Sequence, residues 1–170
     1  LRRTLQAFRA NTACEIRIDH NFLEVITACA TKERDGQAGT WIVPEMVEAY
    51  TRLHAAGSAH SVETWIDGKL AGGLYCVALG QAVFGESMFA HATDASKIAL
   101  AALVALCRRQ GVAMIDCQQN TRHLASLGAH EISRAQFLSH IQNALDQPAL
   151  SWSFEPVYWN ELLPSTAPTA

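Results

Sequence analysis

Asp116, Cys117 and Gln118 are the residues of this 170-residue chain whose types and spacing best suit chemistry. They close an apolar run, Val112 to Cys117, short enough to be a central strand. Alternation along such a strand sets Asp116 and Gln118 on one face and Cys117 on the other. A carboxylate beside a carboxamide can accept from its NH2 and so decide where the amide oxygen points. An oxygen held that way can accept a hydrogen bond from an incoming amine. The carboxyl end of a strand is also the usual place for ligands in α/β sheets. A strand-end Asp-x-Gln that only caps the following turn fits the same pattern.

Glu86 is the second candidate. It stands between Phe84 and Phe89 in the run GESMF, where burying a carboxylate without a partner would be costly. A salt bridge with a nearby Arg or Lys is its ordinary explanation; a binding role is the other. The run GGLY, Gly72 to Tyr75, also puts glycine amid apolar strand residues. Glycine weakens a strand unless something must approach its backbone closely, so both runs point to a binding cleft. His60 and Ser61 resemble a hydrolase pair only superficially, because neighbours in a strand face opposite ways. Cys117 with His123 is a better rival, since a thiol nucleophile needs a base, but no residue that would orient His123 is visible. The seven histidines show no metal-ligand spacing.

The elements that must position these residues follow from pattern and punctuation. Asp19 or His20 is placed to cap a helix through Glu33, with Phe22, Val25, Ile26 and Cys29 on its buried face. A second helix has Pro44 in its first turn, Gly57 past its end, and Met46, Val47, Tyr50 and Leu53 as its stripe. Two strands, His60 to Ile66 and Lys69 to Leu79, meet at Asp67-Gly68, a strong hairpin signal. A third strand, Ala82 to Phe89, leads to Thr93 or Asp94 and a long helix, Ala95 to Gln110, stopped by Gly111. After the strand ending at Cys117 come a short helix (Thr121 to Leu127), a brief strand near His130 to Ile132, and a last helix opened by a Ser133/Gln136 capping box. The tail carries four of the five prolines and reads as irregular, its last seven residues as disordered. Antiparallel strands followed by a strand–helix–strand crossover describe an α/β fold with a mixed sheet.

Composition narrows the class. A charged fraction of 17% beside 49% apolar residues suits one globular domain rather than a disordered segment. The longest apolar stretch is bounded by Lys97 and Arg108, too short for a membrane span. Five irregularly spaced cysteines signal neither a disulfide framework nor a zinc site, so reduced thiols in a cytoplasmic protein are expected. A net charge of −3 does not announce a nucleic-acid binder, although a local basic face is compatible with it.

The runs TWI, HSVETW, GGLYCVALG, GESMF, DASKIAL, IDCQ and SLGA, in this order and spacing, resemble the bacterial leucyl/phenylalanyl-tRNA–protein transferase family from Phe22 to Phe137. The resemblance implies an N-acetyltransferase-like (GNAT) mixed sheet flanked by helices. It also implies a smaller domain ahead of residue 1. On that basis residues 1–18 are a remnant or linker, 19–147 the GNAT-like domain, and 148–170 an irregular tail. The implied reaction is attack by a protein's α-amine on the ester joining Leu or Phe to tRNA, with N-terminal Arg or Lys on the acceptor. The products are free tRNA and a protein marked for degradation. By the same resemblance Asp116 and Gln118 are catalytic, Gln118 holding the amine and drawing its proton while Asp116 polarises it. Glu86 faces the acceptor's basic side chain or the terminal adenosine. Trp41 and Tyr50 face that adenosine, where stacking suits an unpaired base. Phe84, Leu74, Leu100 and Ile115 line an apolar pocket for the donor side chain. Arg2, Arg3, Arg9, Arg108, Arg109, Arg122 and Arg134 are available for the tRNA, although helix-end cations account fully for Arg108 and Arg109. A cytoplasmic monomer with no cofactor, no metal and no membrane partner is expected. The rival of the same fold is an acyl-CoA-dependent N-acetyltransferase. It needs a glycine-rich turn around the cofactor pyrophosphate, and AHATDAS, Ala90 to Ser96, has no glycine.

Overall fold

Helix α1 (Arg2–Ala10) opens the chain, burying Leu5 and Phe8, and leads into strand β1 (Cys14–Ile18). The structure is a computed structural model that describes residues 1–31 and 42–163. Residues 1–18 thus contribute a helix and a strand to the fold. β1 pairs antiparallel with β2 (Ala59–Ile66) from Cys14↔Ile66 to Ile18↔Val62 and forms one edge of the sheet. Its apolar side chains, Cys14, Ile16 and Ile18, join the core by simple alternation.

Helix α2 (Phe22–Thr31) buries Phe22, Val25, Ile26 and Cys29, as the spacing predicts. Its cap differs from expectation. Asp19 adopts a left-handed backbone, and Asn21 Oδ1 instead accepts from the Glu24 N–H. Helix α3 (Pro44–Ala55) starts at its proline, whose missing N–H would be unpaired there in any case. Met46, Val47 and Tyr50 pack inward, whereas Leu53 is exposed.

β2 turns into β3 (Lys69–Leu79) at Asp67 and Gly68, both with positive φ (51° and 71°), the geometry of a two-residue hairpin. β4 (Ala82–Ala90) follows, then α4 (Ala95–Arg109), the two-residue β5 (Ile115–Asp116), α5 (Arg122–Ser126) and α6 (Arg134–Leu145). The strand order is β1-β2-β3-β4-β5, antiparallel except for the parallel β4–β5 pair. α4 and α1 cover one face of the sheet; α2 and α3 cover the other.

Three expectations need correction. The strand placed at 112–117 shrinks to Ile115–Asp116, and no strand forms at His130–Ile132. The glycines of GGLY serve packing rather than a ligand. A Cβ on Gly72 would lie 2.6 Å from the Ala95 Cβ, and one on Gly73 3.0 Å from the Val62 carbonyl. The tail is irregular up to a 3-10 helix (Pro156–Glu161), yet it is a packed strap. Trp152 stacks on His60 at 3.9 Å, and Trp159 meets Phe8 edge-on. The disorder expected of the last seven residues lies outside the described part.

Candidate active site

β5 ends where the chemistry was expected to sit in a strand. β4 and β5 pair only at Val83↔Ile115 and Phe84↔Asp116, and beyond those two positions the chain leaves the sheet. Gln118 has a left-handed backbone (φ 61°), held by its own N–H donating to Asp116 Oδ1 at 2.8 Å. The proposed carboxylate–carboxamide bond is thus replaced by a carboxylate–backbone bond. Asp116 fixes the turn that carries Gln118. A non-glycine residue held there stores about 1–3 kcal/mol of strain, which functional turns commonly carry.

That turn borders a cleft of about 1030 Å3 framed by α4, β5, α5 and the start of α6. Asp116, Gln118, Leu100 and Ile115 line it together, four of the nine residues singled out from sequence. Leu74 is buried on the same side of the sheet but lies in the core rather than on the cleft wall. Phe84 pairs with Val77, whose side chain belongs to the core against α2 and α3, so Phe84 faces away from Leu74. Trp41 lies outside the described residues.

Glu86 owes its direction to a β-bulge. Tyr75 pairs with Ser87 and Cys76 with Gly85, which leaves Glu86 as the unpaired residue between them. Its Oε2 accepts from the Tyr50 hydroxyl at 2.9 Å, and the Tyr50 ring meets Tyr75 edge-on. Burial, then the bond to Glu86 and its negative charge, push the Tyr50 hydroxyl above the usual phenol range. It therefore remains a donor. The partner of Glu86 is a tyrosine, not the Arg or Lys its ordinary explanation assumed. Glu86 stands two residues beyond Phe84, so the Tyr50–Glu86 pair adjoins the point where β4 and β5 part.

The bulge also explains what sequence alternation missed. It shifts parity, so Met88 pairs with Leu74 and packs on the α4 side beside Leu100 and Ile115. Asn120 and Glu131, also unflagged, line the cleft and bond to each other at 3.1 Å. No periodicity marks them, because both sit in irregular chain.

The thiol rival loses its footing. Burial, then the neighbouring Asp116 carboxylate, raise the Cys117 thiol above its usual range, and its Sγ–H points at the Ile115 carbonyl. A thiol kept protonated is a poor nucleophile. His60 bonds to Asp19 at 2.7 Å, whereas the Ser61 hydroxyl donates to Glu63, so the two do not form a pair. Arg108 and Arg109 engage Glu161, and Arg9 donates to Asn160.

Comparison with known proteins identifies the fold and the family. A ribosomal-protein-alanine N-acetyltransferase from Brucella melitensis biovar Abortus 2308 shares the fold at a TM-score of 0.51 and 15% identity, over 71% of this chain and 93% of its own. The sheet is thus of the GNAT type. A leucyl/phenylalanyl-tRNA–protein transferase from a Polaromonas species is 62% identical over 99% of this chain and 66% of its own length. Another, from Albidiferax ferrireducens, is 59% identical over 95% and 64%. The chain therefore spans just under two thirds of these relatives. The sequence model of the family described as leucyl/phenylalanyl-tRNA protein transferase matches residues 1–142, and with these identities the chain belongs to that family.

Proposed function

We propose that this chain carries the catalytic domain of a cytoplasmic aminoacyltransferase. It moves Leu or Phe from aminoacyl-tRNA to the α-amine of proteins that begin with Arg or Lys, and the products enter N-terminal-residue-dependent degradation. The reading rests on one observation in a chain of this family: a left-handed Gln118, pinned by Asp116, at the mouth of a cleft with an apolar wall.

In the reaction, the amine nitrogen attacks the ester carbonyl carbon. The new C–N bond forms as the C–O bond to the ribose breaks, and the amine's proton ends on the departing ribose oxygen. The Gln118 carboxamide oxygen accepts from the amine and orients it. An amide is too weak a base to keep the proton, so its contribution is positional. Asp116 acts through the backbone by holding the turn. Leu100 and Ile115, with Leu74 and Met88 behind them, supply apolar surface for the donor side chain. Tyr50 and Glu86 are placed for the adenosine end, the phenol aligning the carboxylate. The basic side chains Arg2, Arg3, Arg122 and Arg134 are available to tRNA phosphates, and the unit acts as a monomer.

The acyl-CoA alternative is not favoured. The N-terminus of α4, where a pyrophosphate would sit, carries the Asp94 carboxylate, and Ala95 is packed against Gly72. A labelled Leu-tRNA and a peptide beginning with Arg test the proposal, using this chain and the full-length Polaromonas relative in parallel. Transfer is expected, and Gln118→Ala is expected to lower it at least about a hundredfold. Wild-type rates from the Gln118→Ala proteins would defeat it.

A further inference from the structure

We propose that Glu131 is a specificity-determining residue that receives the basic side chain of the acceptor's first residue; the inference rests on the acceptor reading above. Glu86 was the sequence candidate for this role, but it is tied to Tyr50 at the other side of the split between β4 and β5. Within the cleft the carboxylates are Asp116 and Glu131. Asp116 has one oxygen committed to the Gln118 N–H.

Glu131 lies between α5 and α6 on the cleft wall, where its Oε1 accepts from Asn120 Nδ2. Asn120 is neutral, so it orients the carboxylate without discharging it. Among the described residues no cation pairs with Glu131. The cations on the same cleft are Lys97, Arg108 and Arg134. Lys97 is held by Asp94, Arg108 donates to the Glu161 carbonyl, and Arg134, three residues beyond Glu131, forms no ion pair with it. Glu131 is a negative group positioned and left unpaired beside the turn that holds the amine.

The spacing suits an Arg or Lys acceptor. Asn120 follows Gln118 by two residues, which separates their Cα atoms by at most roughly 7.6 Å. An arginine has five bonds of about 1.5 Å from Cα to its guanidinium carbon, a reach of roughly 6 Å. An acceptor whose amine sits on the Gln118 carboxamide can therefore bring its charged end to the Asn120–Glu131 pair. Leu124, Leu127, Ile132 and Phe137 lie nearby on the cleft and can cover the methylene stem. A guanidinium or ammonium then meets a carboxylate by a charge-assisted bond.

The test compares peptides that differ only at the first residue, Arg against citrulline, its neutral near-isostere. It is run with wild type, Glu131→Gln and Glu86→Gln proteins, in this chain and in the full-length Polaromonas relative. Wild type is expected to favour the Arg peptide in kcat/KM. Glu131→Gln should shrink that preference about tenfold through the acceptor KM, with transfer to the citrulline peptide falling less than about threefold. Glu131→Asp should restore part of the preference. The exposed position of Glu131 allows unchanged thermal unfolding to be verified for each variant. An unaltered preference in Glu131→Gln, or its collapse in Glu86→Gln instead, overturns the assignment. Absence of transfer to either peptide by both wild-type proteins overturns the functional reading itself, and the assignment with it.

Discussion

Glu63 and Asp116 are both carboxylates on strands of one sheet, and they have opposite fates. Glu63 is 0% exposed in the middle of β2 and accepts from the Ser61 hydroxyl, the Trp65 indole N–H and the Asn21 backbone N–H. Both of its oxygens are bonded inside the protein. Asp116 ends a two-residue strand, makes one backbone bond, and borders a cleft. Around Glu63 the strands pair in long register, which leaves no room for a ligand. Around Asp116 the pairing stops after two positions, and the departing chain opens the cleft. The difference teaches that burial with full hydrogen bonding marks a structural carboxylate, whereas partial commitment at the end of a ladder marks an available one.

The comparison can be broken most directly at Glu63. Glu63→Ala strands three donors, two of them buried, and should cost about 3 kcal/mol or more. That corresponds to a fall in Tm of about 6–12 °C for a domain of this size, read by calorimetry. A loss under about 1 kcal/mol would mean that the network is not structural. Gln118→Gly inverts the pattern. Glycine relieves the left-handed backbone, so stability should hold or rise by up to about 1 kcal/mol, while transfer falls at least about a hundredfold. Destabilisation with activity retained would place Gln118 in the scaffold instead.

Two glycines sharpen the contrast further. Gly72→Ala drives a methyl into Ala95 and should cost about 1–3 kcal/mol. Gly85→Ala meets only the Asp116 carbonyl, at an ordinary 3.6 Å, and should change stability by under about 1 kcal/mol. Equal losses in denaturant titrations would show that the split is as tightly packed as the hairpin. The smallest effect concerns Cys117. Its folded-state thiol titrates above the unfolded value, because of burial and then Asp116. Its stabilising contribution is therefore complete below the unfolded thiol value and is lost as pH rises through the folded one. Alkylation followed by mass spectrometry should show Cys117 reacting more slowly than a free peptide thiol at pH 8 and catching up as pH climbs. A rate matching the free thiol at pH 8 would mean that the cleft does not shield it.

Features set by neighbours in the chain were legible before any fold was known. The Asp67-Gly68 turn, Pro44 at the head of α3 and the Ser133–Gln136 capping box all appear where local chemistry puts them. Each depends on contacts within about four residues. Features set by distant partners were not. Residues 1–18 look unremarkable until β2 offers β1 an edge to pair with. The strand expected through Cys117 is cut at Asp116, where β4 and β5 cease to pair.

The candidate site divides along the same line. Asp116 and Gln118 were legible because residue type and order at a strand's end are local facts, whereas Leu100 and Ile115 entered through the donor pocket that the family resemblance implies. The bond from the Gln118 N–H to Asp116 spans two residues and is the turn-capping alternative that the Asp-x-Gln pattern already offered. Only the tertiary structure decided that a bulge sends Glu86 to Tyr50 and that Asn120 and Glu131 share the cleft wall with Gln118. A hydrogen bond between groups far apart in the chain exists only once packing has brought them together, and one unpaired strand residue is enough to turn a side chain to another face.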